Sequence, residues 1–167
     1  MIVVAVEPHL SDNRGDATAG PRPVKTVVVD ASVAAKWFLP RAGETLTTEA
    51  EELLNSYVIG ELRILVPDLF WAELANIFWK AVRQGRWTRT AAETALLAIL
   101  NRTIPTIPVL TLLEDAFEIA LTFDRSVYDC VYVSLAVASK CDLVTADERL
   151  ANALAAHLPV KWLASFK

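Results

Sequence analysis

Four acidic residues stand at positions where carboxylates can meet around a metal ion. Asp30 directly follows the apolar run of residues 27–29, and Asp147 follows the similar run of residues 143–146. A carboxylate at the end of a buried parallel strand faces the crevice in which such sheets place their sites. Each acid also precedes a helical pattern, so capping that helix is the competing explanation for either acid alone.

The other two acids, Glu73 and Asp129, lie on helical patterns. Glu73 falls within or beside the apolar stripe of residues 69–84, where a carboxylate needs a partner such as a metal ion. The alternative is a solvated glutamate that interacts with the helix dipole. Asp129 stands three residues after Ser126, which is the spacing of a capping box. That role explains Asp129 by itself and is compatible with a second role at a site.

Four carboxylates from four elements form an all-oxygen donor set, which is the kind that Mg²⁺ prefers. Bound Mg²⁺ can lower the pKa of a water that attacks phosphorus and can stabilise charge on the phosphate. The two histidines, His9 and His157, lie in the N-terminal segment and in a late helix, which disfavours a histidine acid–base mechanism. The two cysteines form no C-x-x-C or Cys/His cluster, so zinc is not expected.

The elements that must position these acids alternate between short apolar strands and amphipathic helices. Strands are predicted at residues 26–29, 63–66, 106–110, 143–145 and 160–162. Helices are predicted at residues 32–39, 44–58, 69–84, 90–101 (opened by a capping box from Thr90 to Glu93), 112–123, 127–139 and 148–155. This alternation predicts an α/β fold with a central, mostly parallel sheet flanked by helices.

Length and composition predict one folded domain. The chain has 167 residues, of which 54% are hydrophobic, and a net charge of −4. Residues 1–25 have the turn-rich composition of a flexible tail, so the domain is expected at residues 26–167. No apolar run reaches the about 18 residues that cross a membrane, and no secretory signal is recognisable, so a cytoplasmic protein is predicted. The acidic balance counts mildly against nucleic-acid binding, although a bound metal ion would supply positive charge for a phosphate.

The segments around the four acids, taken in order, resemble the motifs of PIN-domain nucleases of the VapC type. The matching segments are residues 27–37, 67–76, 126–136 and 143–150. Each segment alone is a weak signal, whereas the ordered set is specific and extends over residues 26–167. The fold that this resemblance implies is a PIN-like three-layer sandwich.

The resemblance also implies an activity and a role for each matching residue. It implies a metal-dependent endoribonuclease that hydrolyses RNA phosphodiester bonds and serves as the toxin of a toxin–antitoxin pair. The implied catalytic residues and ligands of Mg²⁺ or Mn²⁺ are Asp30, Glu73, Asp129 and Asp147, and the implied supporting hydroxyls are Ser32 and Thr145. The family further implies a homodimer, an RNA substrate and a small inhibitory antitoxin of the VapB type.

Large aromatic residues are frequent near the predicted site. They are Trp37, Phe38, Phe70, Trp71, Phe78, Trp79 and Trp87. Ordinary core packing explains most of them, but a groove lined by some would suit an amphipathic helix of the antitoxin.

Two other functions found on similar sheets need residues that this chain lacks. A dehalogenase-like phosphatase would need a second aspartate at position 32, where Ser32 stands, and a receiver-like domain would need an acidic pair before the first strand aspartate. No glycine-rich phosphate loop is present. The alternatives that stay open are a housekeeping PIN nuclease without an antitoxin and a non-catalytic PIN-fold binding module. The complete set of acids speaks against the second of these.

Overall fold

The computed structural model describes residues 24–167, and the predicted N-terminal tail lies outside this range except for Val24 and Lys25. The strands of the described part are β1 (Lys25–Val29), β2 (Leu62–Pro67), β3 (Thr106–Ile107), β4 (Asp142–Thr145) and β5 (Val160–Trp162). Its helices are α1 (Ala31–Ala35), α2 (Thr47–Val58), α3 (Leu69–Arg83), α4 (Arg89–Leu100), α5 (Leu113–Phe123), α6 (Val127–Ala138) and α7 (Glu148–Leu154).

The strands form one parallel sheet in the order β3-β2-β1-β4-β5. From β1 the chain continues to β2 and β3 on one side, and then crosses to β4 and β5 on the other side. The strand order therefore switches direction between β1 and β4, and the carboxyl ends of these two strands border the crevice where open α/β sheets bind ligands. The predicted α/β architecture, a parallel sheet flanked by helices, is confirmed.

Strand β1 and helix α6 are largely buried in the core. Residues 27–29 of β1 are completely buried, as expected for the β-branched run of a central parallel strand. In α6, residues 130–136 are all buried, and the helix packs on β1, β2 and β4 with α5 along its other side. A helix that is apolar all round belongs in the interior. A polar residue between positions 130 and 136 is therefore surrounded by protein.

Element types agree with the sequence prediction, and several boundaries differ. The predicted strand at residues 106–110 is only two residues long, because Pro108 cannot donate a ladder hydrogen bond and a 3₁₀ turn follows at Val109–Thr111. The predicted capping box from Thr90 to Glu93 is wrong. Thr88 caps α4 instead, and its hydroxyl accepts a hydrogen bond from the N–H of Ala91. No helix in residues 24–167 has both the length and the apolar character needed to span a membrane.

Candidate active site

Asp30 lies where β1 ends and α1 begins, and its carboxylate is held on both oxygens. Oδ1 accepts a 3.0 Å hydrogen bond from the backbone N–H of Ser32, which makes Asp30 the N-cap of α1. Oδ2 accepts a 2.6 Å hydrogen bond from the hydroxyl of Thr145 at the end of β4. The carboxylate is therefore oriented by groups from both strands that border the crevice.

The surroundings of Asp30 disfavour its charged form. Burial raises the pKa of Asp30, and the hydrogen bonds from Thr145 and Ser32 lower it but do not cancel the effect of burial. The negative charge of Asp129 raises the pKa of Asp30 further. A carboxylate in such a position is stabilised by a nearby cation, because the cation favours the charged form.

The predicted supporting hydroxyls, Ser32 and Thr145, both lie at the junction of β1 and β4. Thr145 is completely buried, and besides donating to Asp30 its hydroxyl accepts a 3.0 Å hydrogen bond from the N–H of Asp147. The hydroxyl of Ser32 accepts a 3.2 Å hydrogen bond from the N–H of Ala146. Each hydroxyl thus connects the segment at the end of β1 with the segment at the end of β4.

Asp147 is exposed and caps α7. Its Oδ1 accepts hydrogen bonds of 2.8 Å from the N–H of Arg149 and 3.2 Å from the N–H of Leu150. The capping explanation that competed with a metal role at Asp30 and Asp147 therefore holds for both residues. Both capping bonds use the same oxygen, so Oδ2 of Asp147 is left for other contacts.

Glu73 lies in the second turn of α3 and is held by a residue that the sequence analysis missed. Its Oε2 accepts a 2.5 Å hydrogen bond from the phenol of Tyr132 on α6. Burial raises the pKa of Glu73, the hydrogen bond from Tyr132 lowers it, and the charges of Asp30 and Asp129 raise it. The sequence signal for Tyr132 was a tyrosine inside an apolar helix, since a buried phenol usually needs a partner.

Asp129 lies in the first turn of α6 and is partly buried. The hydroxyl of Ser126 donates a 2.7 Å hydrogen bond to Oδ2 of Asp129 and accepts a 3.1 Å hydrogen bond from its backbone N–H. Ser126 is therefore the N-cap, as the sequence predicted. The reciprocal bond comes from the serine hydroxyl, whereas a capping box uses the serine backbone N–H.

Asp30, Glu73 and Asp129 influence one another electrostatically, and Asp147 is connected to Asp30 through the hydroxyl of Thr145. The charges of Asp30 and Asp129 both raise the pKa of Glu73, and the charge of Asp129 raises the pKa of Asp30. Within residues 24–167, no three Asp, Glu, His or Cys side chains stand close enough to hold one ion together. Mg²⁺ keeps several waters and contacts one or two carboxylates directly, so this oxygen donor set suits a hard divalent cation.

Cys130 and His157 do not extend this donor set. Burial raises the pKa of the Cys130 thiol to about 11, so the thiol stays protonated and is unsuited to bind a metal. His157 packs its ring 5.7 Å from the ring of Phe123. Both cysteines are free thiols, as the sequence predicted.

The aromatic residues near the site divide into core and surface groups. Phe70 and Phe78 are buried in the core, and Phe78 makes edge-to-face contacts with Phe38 and Trp87. Trp79 is 54% exposed and lies on a cavity of about 350 Å³ between α3 and α4. Core packing therefore accounts for Phe70 and Phe78, and Trp79 belongs to a surface groove.

Comparison with known proteins identifies the class to which this fold and these acids belong. The model of the PIN domain family matches residues 27–154, so the chain belongs to the PIN-domain family. Within that family it is similar to ribonuclease VapC3 of Pyrobaculum aerophilum, with 33% identity over 128 residues, which are 75% of this chain and 92% of the relative. Ribonuclease VapC9 of Mycobacterium tuberculosis is 32% identical over 134 residues, or 80% and 95% of the two chains. The chain is thus a PIN domain of the VapC group.

Solved structures show the same fold at lower identity. A protein from Pyrobaculum aerophilum superposes with a TM-score of 0.60 at 19% identity, covering 86% of this chain and 93% of the other. VapC20 of Mycobacterium tuberculosis, a toxin that cleaves the sarcin-ricin loop, superposes with a TM-score of 0.57 at 19% identity, covering 79% and 95%. These similarities confirm the predicted PIN-like three-layer fold.

Proposed function

We propose that this chain is a divalent-metal-dependent endoribonuclease that acts in the cytoplasm as the toxin of a toxin–antitoxin pair. The observation that carries the proposal is the proximity of Asp30, Glu73 and Asp129, since the charge of Asp129 raises the pKa of Asp30 and the charges of Asp30 and Asp129 raise the pKa of Glu73. The relatives named ribonuclease VapC, at 32–33% identity over most of the chain, support RNA as the substrate.

The proposed metal is Mg²⁺, with Mn²⁺ as a substitute, and its proposed ligands and catalytic residues are Asp30, Glu73, Asp129 and Asp147. A bound divalent cation would supply a Lewis acid for a phosphate oxygen and a water of lowered pKa. Thr145 and Ser126 hold the carboxylates of Asp30 and Asp129 in fixed orientations. Tyr132 occupies Oε2 of Glu73 and leaves Oε1 to accept a hydrogen bond from water.

Cleavage of RNA by the purified chain tests this proposal. We expect cleavage with Mg²⁺ or Mn²⁺, none in excess chelator, and recovery when the metal is restored. The Asp30→Asn and Asp129→Asn variants should stay folded and lose at least about 100-fold in rate, as expected when a metal ligand is removed. Full activity in chelator, or in both variants, would contradict the metal-dependent mechanism. A folded wild type that cleaves no RNA with either metal would instead favour the non-catalytic binding module.

An antitoxin of the VapB type is the proposed protein partner, and the groove between α3 and α4 is its proposed binding site. The groove is lined by Ala75, Trp79, Val82 and Leu96, and an amphipathic helix suits such a surface. The neighbours of known structure include a toxin–antitoxin complex from Klebsiella pneumoniae, with a TM-score of 0.53 at 16% identity, covering 81% of this chain and 95% of the other.

Co-expression of this chain with the protein that the neighbouring gene encodes tests the proposed partner. The pair should co-purify and restore growth, and Trp79→Ala should weaken binding while RNA cleavage persists. Growth unaffected by overexpression of the chain alone, with no bound partner, would leave a housekeeping PIN nuclease.

A homodimer is also proposed, with the exposed side of α5 as its interface. Phe117 is 52% exposed, Leu121 is 65% exposed, and Leu110 and Leu113 extend the same apolar surface beside Val127. Positions 113, 117 and 121 are spaced four residues apart, so they form one stripe along the helix. Contiguous exposed apolar surface of this kind marks protein interfaces.

A further inference from the structure

The hydrogen bond between Tyr132 and Glu73 joins two helices at the active site. The two residues are 59 positions apart in the sequence, and the 2.5 Å separation of the phenol oxygen and Oε2 of Glu73 is that of a charge-assisted hydrogen bond. Tyr132 is only 3% exposed, so surrounding side chains keep its ring in place. A rigid donor therefore holds one oxygen of a flexible glutamate.

Tyr132 also lies close to the segments that carry Asp30 and Asp129. It lies three residues after Asp129 on α6, so the two side chains project from the same side of the helix. The backbone N–H of Ala31, the residue after Asp30, lies near the phenol oxygen. The phenol oxygen is thus placed between the elements that carry all three acids, β1–α1, α3 and α6.

The direction of this hydrogen bond follows from the chemistry of the two groups. A phenol carries its hydrogen at neutral pH, so the hydroxyl of Tyr132 donates and Oε2 of Glu73 accepts.

We propose that Tyr132 is a positioning residue, which holds Glu73 by Oε2 so that Oε1 is presented to the cation and its waters. This inference rests on the proposed metal-dependent nuclease and adds to it a group outside the set of four acids. Groups that orient metal ligands contribute to affinity because they fix the ligand before the metal binds. Tyr132 is buried, so it acts on the cation through Glu73 and makes no contact with RNA.

Replacing the phenol with a phenyl ring tests this role. Tyr132→Phe keeps the ring and removes the hydroxyl. We expect its affinity for Mn²⁺, measured by calorimetry without RNA, to fall about tenfold or more. In RNA cleavage kcat should fall and KM should stay unchanged, because the RNA-binding surface is intact. Tyr57→Phe on α2, a partly buried tyrosine outside the acidic cluster, is the control and should leave both quantities unchanged.

A double-mutant cycle with Glu73→Gln shows whether Tyr132 acts through Glu73. In the Glu73→Gln background, Tyr132→Phe should cause no further loss of Mn²⁺ affinity. An equal loss in both backgrounds, or an unchanged affinity in the single variant, would overturn the inference. Circular dichroism checks folding, and Tyr132→Met, which also lacks the hydroxyl, replaces the Phe variant if that variant unfolds.

The wild-type protein separates failure of this inference from failure of the proposed function. If the wild type cleaves RNA with metal, and Tyr132→Phe has the same activity and the same affinity for Mn²⁺, only the role of Tyr132 is overturned. A wild type that neither binds Mn²⁺ nor cleaves RNA overturns both.

Discussion

The hydroxyl of Thr145 donates a 2.6 Å hydrogen bond to the carboxylate of Asp30, across 115 positions of the sequence. The same hydroxyl accepts a hydrogen bond from the N–H of Asp147. One buried side chain thus connects the acid that follows β1 with the acid that follows β4. The orientation of these two acids therefore depends on the pairing of β1 with β4.

Replacing this hydroxyl with a methyl group should impair both stability and cleavage. In Thr145→Val the N–H of Asp147 loses its acceptor and Asp30 loses a donor, so we expect a loss of about 1–3 kcal/mol in the free energy of unfolding. The rate of RNA cleavage should fall about 10–100-fold. Denaturant titration and a cleavage assay measure the two effects. Thr94→Val, at an exposed position of α4, is the control, and an equal response of both variants would contradict the role of Thr145.

Neutralising Asp30 should stabilise the metal-free protein. Since burial raises the pKa of Asp30 in the folded state, the folded protein holds this proton more tightly than the unfolded chain. The metal-free protein therefore loses stability as the pH rises from the ordinary aspartate pKa to the raised one, and the loss is complete above the raised pKa. In chelator at neutral pH, Asp30→Asn should melt at a higher temperature than the wild type.

Thermal melts from pH 4 to pH 8, with and without Mn²⁺, measure this effect. Metal should raise the melting temperature of the wild type and have little effect on Asp30→Asn, because the variant lacks a ligand charge. The exposed Asp115→Asn serves as the control and should melt like the wild type. A metal-free wild type that is more stable than Asp30→Asn at neutral pH would show that the charge of Asp30 is already well solvated.

A charge on the exposed side of α5 should separate the proposed dimer. Phe117→Glu places a carboxylate in the apolar stripe, where burial against a second copy would be unfavourable. Light scattering should give the mass of a dimer for the wild type and of a monomer for the variant. Ile59→Glu, an exposed apolar position after α2, should remain a dimer. A dimeric Phe117→Glu protein would exclude α5 as the interface.

Removal of residues 1–24 should leave the proposed domain intact. All the strands described begin at Lys25 or later, and the four acids lie between Asp30 and Asp147. The unfolding midpoint and the rate of RNA cleavage of the shortened chain should therefore match those of the full chain. A large fall in the midpoint would show that this segment packs on the domain.

The sequence predicted the order and type of the elements because the apolar periodicity of β1, α3 and α6 reflects their burial. It failed where the outcome depends on local hydrogen bonds. Thr88 and Thr90 both precede helical residues, and the structure uses Thr88 because its hydroxyl reaches the N–H of Ala91. The short β3 follows from the two prolines around it, which limit ladder hydrogen bonds.

Within the site, the sequence predicted the four acids by their place after strands and within helices, and these assignments stay predictions. It missed the tyrosine on another helix that donates to Glu73. Tyr132 belongs to a run of buried residues, so its burial was predictable from the pattern of α6. Its acceptor was not, because Glu73 lies on α3 and the contact depends on how two helices pack. Local spacing reveals caps such as Ser126, whereas a hydrogen bond between distant elements requires the tertiary structure.

The dependence of Asp30 on Thr145 has a consequence during synthesis. A ribosome that has released β1, α3 and α6 has not yet released β4, which is the neighbour of β1 in the finished sheet. The nascent chain then contains three of the four acids, without the hydroxyl that orients the first of them. We therefore expect that an unfinished chain does not cleave the messenger RNA or the RNA of the ribosome that synthesises it. Cleavage should begin only when translation is nearly complete.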